Sequence, residues 1–338
     1  MTLTIAGCSL IEIEDAVLTT FRPAGPNAER IDDLFWLVFW IATGVFTLVM
    51  LGLVVILFAF RDRAKGGKPA REPKQLHGNA KLEVLWTVIP FLILTVIAVP
   101  TVRSIFDLTG CDDDSMRIEV IGHQWWFEYH YPDQGIDTAN VMVIPAGREV
   151  CAEMTSGDVV HNFWVPALHG KRYLVPGQTT LLRLEASQPG EFWGHCAEFC
   201  GLSHSLMRTR VQSVSEADFA TWVAAQQESA SLPEEGTLAF EGYQVFLNRG
   251  CIQCHAVAFD TDPVSIPSDA FNGPDLTHFA SRQVFAGATL PEEGETREAA
   301  LRRWLADPPN VKPGSFMPNL ALTSQEIDAL IAFLEGNR

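Results

Sequence analysis

The chain has 338 residues, room for two or three domains. Its 24 Lys+Arg against 41 Asp+Glu give a net charge of −17, which excludes nucleic acid as a partner because phosphate binding needs clustered cations. Hydrophobic residues at 47% and charged residues at 19% exclude disorder across the whole chain, and the mean hydropathy of +0.11 is high for a soluble protein.

Residues 1–30 form an N-terminal segment with a lipoprotein-like cleavage box, Ile5-Ala6-Gly7-Cys8. Only seven residues precede Cys8 and none is basic, short of a signal peptide, so its lipidation stays open. Two apolar runs follow within residues 31–106. Leu34 to Phe60 is 27 residues without a charge, and Val84 to Val102 adds 19 more, each long enough for a ~30 Å hydrocarbon layer. Buried helices of a soluble core are the competing reading, but they suit shorter runs. Pro90 is tolerable in a span where a neighbour packs against the kink. Between the runs, Arg61, Arg63, Lys65, Lys68, Arg71 and Lys74 outweigh Asp62 and Glu72, a net of +4. Short basic loops stay in the cytoplasm, so both the N-terminus and everything after residue 106 are expected outside, with the hairpin in the lipid bilayer. Glu83, at the start of the second run, reads on general grounds as an interfacial charge.

Residues 107–225 contain short alternating runs punctuated by Pro and Gly, such as RIEVIGHQWWFEY, REVCAEMTSG and TTLLRLEA, the pattern of an all-β barrel or sandwich. Within it, Cys196, Cys200, His204 and Met207 fall inside twelve residues, and His161 lies at a strand end upstream. Soft sulfurs with imidazoles select copper or zinc. A closed zinc site would favour a tighter Cys pair, and a Cys196–Cys200 disulfide would leave His161, His204 and Met207 without a role. Two bridging thiolates can hold two copper ions. Cys111 and Cys151 remain, and whether they pair is open.

Residues 226–236 (QQESASLPEEG in essence) are a polar linker to a last domain, 237–338. There Cys251-Ile-Gln-Cys254-His255 is the pattern for c-type haem attachment, with thiols for the haem vinyl groups and His255 as proximal ligand. A thioredoxin-like pair would lack the adjacent His. Met317, in Pro313-Gly314-Ser315-Phe316-Met317-Pro318, is the candidate sixth ligand, against a reading as core filler. A helix follows, capped by Thr323 and patterned by Ile327, Leu330, Ile331 and Leu334. This domain carries 13 acidic and 7 basic residues. Tethering supplies effective concentration, so it needs no basic docking face, and its own donor would use a basic or apolar patch.

CAEFCGLSHSLM, HNFWVP, GHQWWFEY and the helical hairpin together resemble subunit II of haem-copper cytochrome c oxidase. The resemblance covers roughly residues 30–225. It implies a cupredoxin-like domain with binuclear copper A held by His161, Cys196, Cys200, His204, Met207 and the Glu198 carbonyl. The Glu198 side chain, otherwise a solvated loop charge, would bind magnesium shared with subunit I. Trp125 would be the electron-entry residue; this chain has Trp-Phe after it where many members have Tyr-Trp. Glu83 would be the cytoplasmic mouth of a proton pathway. The last domain resembles an all-α class I cytochrome c, fused as in caa-type oxidases. The expected architecture is thus a two-helix transmembrane hairpin, a cupredoxin-like domain and a cytochrome c domain in the bacterial inner membrane.

The expected function is electron input from a cytochrome c-type donor through haem c and copper A to subunit I, with subunit III also a partner. Oxygen reduction and proton translocation belong to subunit I, since this chain has no intramembrane histidines. A copper A subunit of a nitric oxide reductase, or a membrane-anchored electron carrier or copper-delivery protein, are the alternatives. Quinol-oxidase relatives lack the copper ligands present here. The donor, the haem type in subunit I and the pumping stoichiometry are not legible in the sequence.

Overall fold

The computed structural model describes residues 18–61, 75, 77–259 and 273–337. Cys8 and its neighbours, and the basic residues 62–74, lie outside the described residues. The chain divides into two compact units, Arg30–Leu108 and the remainder.

The first unit is a helical pair. Helix α1 (Pro26–Ala59) has 34 residues and α2 (Ala80–Leu108) has 29, lengths of roughly 51 and 44 Å at the α-helical rise. The most apolar stretch of each helix leaves its side chains outside any protein core. So large a continuous apolar surface is stable only against lipid or another protein. Phe35, Trp36, Phe39 and Trp40 stack along the start of α1, with the two indoles 6.2 Å apart, an aromatic girdle of the kind found at membrane interfaces. Pro90 and Pro100 both sit inside α2, as a spanning helix tolerates. At its start, Asn79 Oδ1 accepts from Lys81 N at 3.1 Å while Glu83 Oε1 accepts from Asn79 N at 3.1 Å, so Glu83 helps to cap the helix.

The second unit begins with a β-sandwich. Its strands are β1 (Met116–His123), β2 (Trp126–Tyr131), β3 (Ile136–Ala139), β4 (Val141–Pro145), β5 (Val150–Ser156), β6 (His161–Trp164), β7 (Arg172–Leu174), β8 (Thr180–Leu184), β9 (Gly190–Cys196) and β10 (Arg208–Val214). Two five-stranded sheets form, in the orders β3-β2-β1-β5-β8 and β4-β10-β9-β6-β7. Alternation drives this: Met116, Ile118 and Val120 face inward from β1 while Arg117 and Glu119 face out. Parallel pairing of β1 with β5 and of β10 with β4 sets the cupredoxin-like topology. Cys111 and Cys151 form a disulfide with Cα atoms 5.6 Å apart, tying the entry of the sandwich to β5. Upstream residues also pack here: Ala24 N donates to Ala167 O at 2.7 Å and Asn27 Nδ2 to Arg183 O at 3.2 Å.

After β10 a helix not foreseen in the strand pattern, α3 (Glu216–Gln226), is capped by Ser215 Oγ accepting from Asp218 N. Beyond it the polar stretch is not wholly solvated. Ala230 N donates to Ala258 O at 2.8 Å, and its methyl joins the next core.

That core belongs to a helical domain of α4 (Leu238–Asn248), α5 (Arg297–Ala306), the one-turn α6 (Pro308–Val311) and α7 (Ser324–Leu334). Thr323 caps α7 in a reciprocal box with Glu326, and Ile327, Leu330, Ile331 and Leu334 are buried as their spacing predicts. Helices α4 and α7 cross where Gly242 meets Ala329. A Cβ at 242 would stand 2.0 Å from the Ala329 carbonyl oxygen, so only glycine permits the crossing. Gly242→Ala is therefore expected to destabilise this domain by about 1–3 kcal/mol through overpacking, read as a lower midpoint when haem absorbance and helical circular dichroism are followed on heating.

Candidate functional site

The turn from β9 into β10 carries the sulfur ligands, and β6, paired to β9 through Phe163–Cys196, carries the histidine. The sheet thereby closes a 35-residue gap in sequence: Cys196 Sγ lies 3.9 Å from His161 Nδ1 and 3.8 Å from Cys200 Sγ. Cys200 Sγ in turn lies 3.6 Å from His204 Nδ1 and 3.9 Å from Met207 Sδ. The Glu198 carbonyl stands 3.2 Å from Cys196 Sγ. All six sequence-predicted groups thus converge on a two-sulfur edge, with one imidazole at each end. His161, Cys196, Cys200 and Met207 are buried.

Electrostatics explain why such an edge wants cations. The hydrogen bond from Cys200 pulls the Cys196 thiol pKa far down, and the same hydrogen bond, with burial and the Cys196 charge, holds the Cys200 proton. Two thiolates this close ionise together only with positive charge between them. Two sulfurs, two imidazole nitrogens, a thioether and a carbonyl make a soft donor set suited to copper. Burial pushes His161 toward its neutral form, but the Asp158 and Cys196 hydrogen bonds outweigh it and its pKa is raised. His161 Nε2–H donates to Asp158 Oδ1 at 2.7 Å, which turns Nδ1 to the sulfurs. Asp158 was not singled out by sequence; its place three residues before His161 was the available signal. The Glu198 side chain bonds the Tyr173 hydroxyl, raising the Tyr173 pKa.

Trp125 sits at the tip of the β1–β2 hairpin, where His123 pairs with Trp126. Its indole Nε1 donates to the Cys200 carbonyl at 2.9 Å, and Gln124 Nε2 donates to the same oxygen at 2.7 Å. On the other face, the Phe316 ring lies nearly parallel, 9° off, at 6.4 Å between centroids. Trp125 is only 5% exposed.

The second site is a cavity of 540 Å³ that Cys251, Cys254, His255 and Met317 all border, with Leu276, Phe279, Phe285 and Trp304 as apolar walls. That lies within the ~300–1,000 Å³ range of cofactor pockets. His255 Nδ1 donates to Pro274 O at 2.8 Å, which leaves Nε2 as the ligating nitrogen, and burial lowers the ring's pKa. Gly273 makes the close approach possible, since a Cβ there would stand 2.5 Å from His255 Cε1. Arg282 borders the cavity too. Its buried Nε and Nη2 find no hydrogen-bond partner among the described residues, so the pocket has a cation waiting for an anionic group. A largely apolar space with paired thiols, an imidazole, a thioether and a buried guanidinium fits haem with its propionates. Nothing in the local spacing marks Arg282, and its burial shows its use. Glu83 belongs to the helical unit.

Comparison with known proteins follows the same division. The family described as Cytochrome C oxidase subunit II, transmembrane domain, matches residues 16–103; its periplasmic domain matches 134–214; and Cytochrome c matches 239–337. Cytochrome c oxidase subunit 2 of Alkalihalophilus pseudofirmus is 36% identical over 343 residues, covering 99% of this chain and 94% of that relative. Its counterpart in Bacillus sp. strain PS3 is 34% identical over 350 residues, with the same coverage. Quinol oxidase subunit 2 of Bacillus spizizenii is 32% identical over 231 residues, 67% of this chain and 70% of that relative. The crystal structure of the periplasmic domain of subunit II of cytochrome oxidase from Bradyrhizobium japonicum is 28% identical, covering 36% of this chain and 97% of that one, at a TM-score of 0.34.

Removing the Asp158 acceptor should loosen His161: Asp158→Ala is expected to weaken copper binding about 10–100-fold with the fold intact, measured by competition with a copper chelator.

Proposed function

The chain belongs to the cytochrome c oxidase subunit II family with a fused cytochrome c domain, and on that premise we propose that it is the electron-input subunit of a proton-translocating terminal oxidase. Electrons from a cytochrome c-type donor would enter at haem c, continue to copper A and leave for subunit I, where oxygen is reduced. The observation that carries the reading is the Cys196–Cys200 edge at 3.8 Å with His161 and His204 at its ends, both cysteines being free thiols. When bound, copper A and haem c supply one-electron centres that change little in shape as they change charge.

The chain's residues then divide the work. His161, Cys196, Cys200, His204, Met207 and the Glu198 carbonyl hold copper in a water-poor pocket. Cys251 and Cys254 would hold haem through their sulfurs, and His255 with Met317 would ligate its iron, a donor pair suited to electron transfer rather than to binding exogenous ligands. Trp125 connects to the copper loop by its indole hydrogen bond to Cys200 O. The Glu198 side chain is the magnesium ligand at the boundary with subunit I, and Glu83 is the mouth of a proton pathway into that subunit. Subunit III completes the partners. A basic short loop and acidic flanking residues support a bacterial inner-membrane location, with the copper and cytochrome domains outside.

A nitric oxide reductase subunit would use the same relay. Turnover of the purified complex on oxygen against nitric oxide separates the two, and a freestanding carrier would purify without a many-span haem subunit. The direct test is His204→Ala or Cys200→Ser in the assembled complex. Either is expected to abolish the copper paramagnetic signal and oxidase turnover while haem c remains reducible; undiminished turnover would overturn the route.

A further inference from the structure

Among the described residues, Lys312 is a buried ionisable side chain with no part in the scheme above. Lys312 follows α6 in the cytochrome domain and is only 4% exposed. Its ammonium donates to two main-chain carbonyls, Trp125 O of the copper domain and, at 3.0 Å, Ala286 O of its own. Burial lowers its pKa to about 7. A lysine held dry between two carbonyls is costly. Ala286 O also accepts from Thr289 Oγ1 at 2.8 Å, so it is the Trp125 carbonyl that depends on the ammonium among the described residues.

The surrounding seam is built for close approach. Arg208 N donates to Gly287 O at 2.9 Å, and Ser203 Oγ donates to Pro313 O at 2.6 Å. Val284 and Ala288 of the cytochrome domain join the copper domain's own buried cluster. Two glycines leave the room: a Cβ on Gly287 would stand 2.2 Å from Lys312 Nζ, and one on Gly314 would stand 2.7 Å from the Trp125 ring. Two residues beyond Gly314 comes Phe316, over the Trp125 indole, and then the candidate haem ligand Met317.

We propose that Lys312 is a positioning residue that clasps the cytochrome domain to the copper domain through the Trp125 carbonyl, and so sets Phe316 over Trp125 as the coupling ring between the two redox sites. The path from iron side to copper side is then one covalent neighbour (Met317–Phe316), one ring stack and one hydrogen bond to Cys200 O. The same clasp covers Trp125, so a soluble donor cannot reach its indole and must deliver electrons to the cytochrome domain instead. The inference rests on the relay reading for its function, but not for its geometry.

The test uses the full-length, metal- and haem-loaded complex carrying Lys312→Met, Phe316→Leu or Phe316→Tyr. Two quantities are followed: hydrogen exchange of the Arg208 amide, which reports the seam, and the rate of haem c oxidation by copper after a photochemical reducing pulse. Lys312→Met leaves the Trp125 carbonyl unpaired, so Arg208 exchange should speed up about tenfold and electron transfer should slow about tenfold. Phe316→Leu should leave Arg208 exchange within about twofold of wild type while slowing transfer, and Phe316→Tyr should restore the rate. Unchanged Arg208 exchange in Lys312→Met overturns the clasp; equal transfer rates in wild type and Phe316→Leu overturn the coupling ring. Should Lys312→Met not fold, Lys312→Gln, whose shorter neutral amide replaces the ammonium, is read the same way. Missing copper or haem signals in the wild-type complex would count against the relay reading, and Arg208 exchange would still decide the clasp.

Discussion

Two buried cysteine sulfurs held 3.8 Å apart are the constraint around which the rest of this protein is arranged. Left as thiolates they would repel strongly in a medium that screens poorly, so the fold must supply cations there or keep a proton. Everything nearby serves that need. The β6–β9 pairing brings up His161, Asp158 turns its ring, and the loop after Cys200 returns His204 and Met207. Strand pairing gives the site its rigidity, and a rigid donor set limits the rearrangement that accompanies each change of charge.

The cytochrome domain solves a related problem with different means. Its cavity has apolar walls, and the polar groups that border it include one imidazole set by Pro274 O, one thioether, two thiols and the Arg282 guanidinium. Arg297 Nη2 donates to Phe279 O at 2.9 Å and Nε to Glu335 at 2.7 Å, tying the cavity wall to the end of α7. The small helical core is therefore braced by hydrogen bonds as well as by the α4–α7 crossing. Joining this domain covalently to the copper domain replaces a diffusional encounter between acidic surfaces with a built-in contact.

The helical unit obeys a third solvent. Its side chains are apolar around the whole helix circumference, so no one face can be assigned to a protein core. Glu83 and Asn79 close the start of α2, where a charge can remain near water.

Much of this was legible in the residues themselves. Ligand chemistry is written in local spacing: Cys196, Cys200, His204 and Met207 fall on one loop, and Cys251, Cys254 and His255 on one turn, so no knowledge of the fold is needed to group them. Apolar runs longer than any core helix identify α1 and α2, and the Thr323–Glu326 box with its buried stripe identifies α7. Relations across the chain were decided by tertiary structure alone. Asp158 behind His161, Arg282 lacking a partner in the haem cavity, the Cys111–Cys151 bond and Lys312 on the Trp125 carbonyl each join segments, or expose an orphaned atom, that linear order leaves apart. The physical reason is that spacing encodes which groups a single turn or loop can gather, whereas burial and pairing between distant elements depend on how sheets and helices pack, and that is a property of the whole chain's hydrophobic pattern rather than of any one motif.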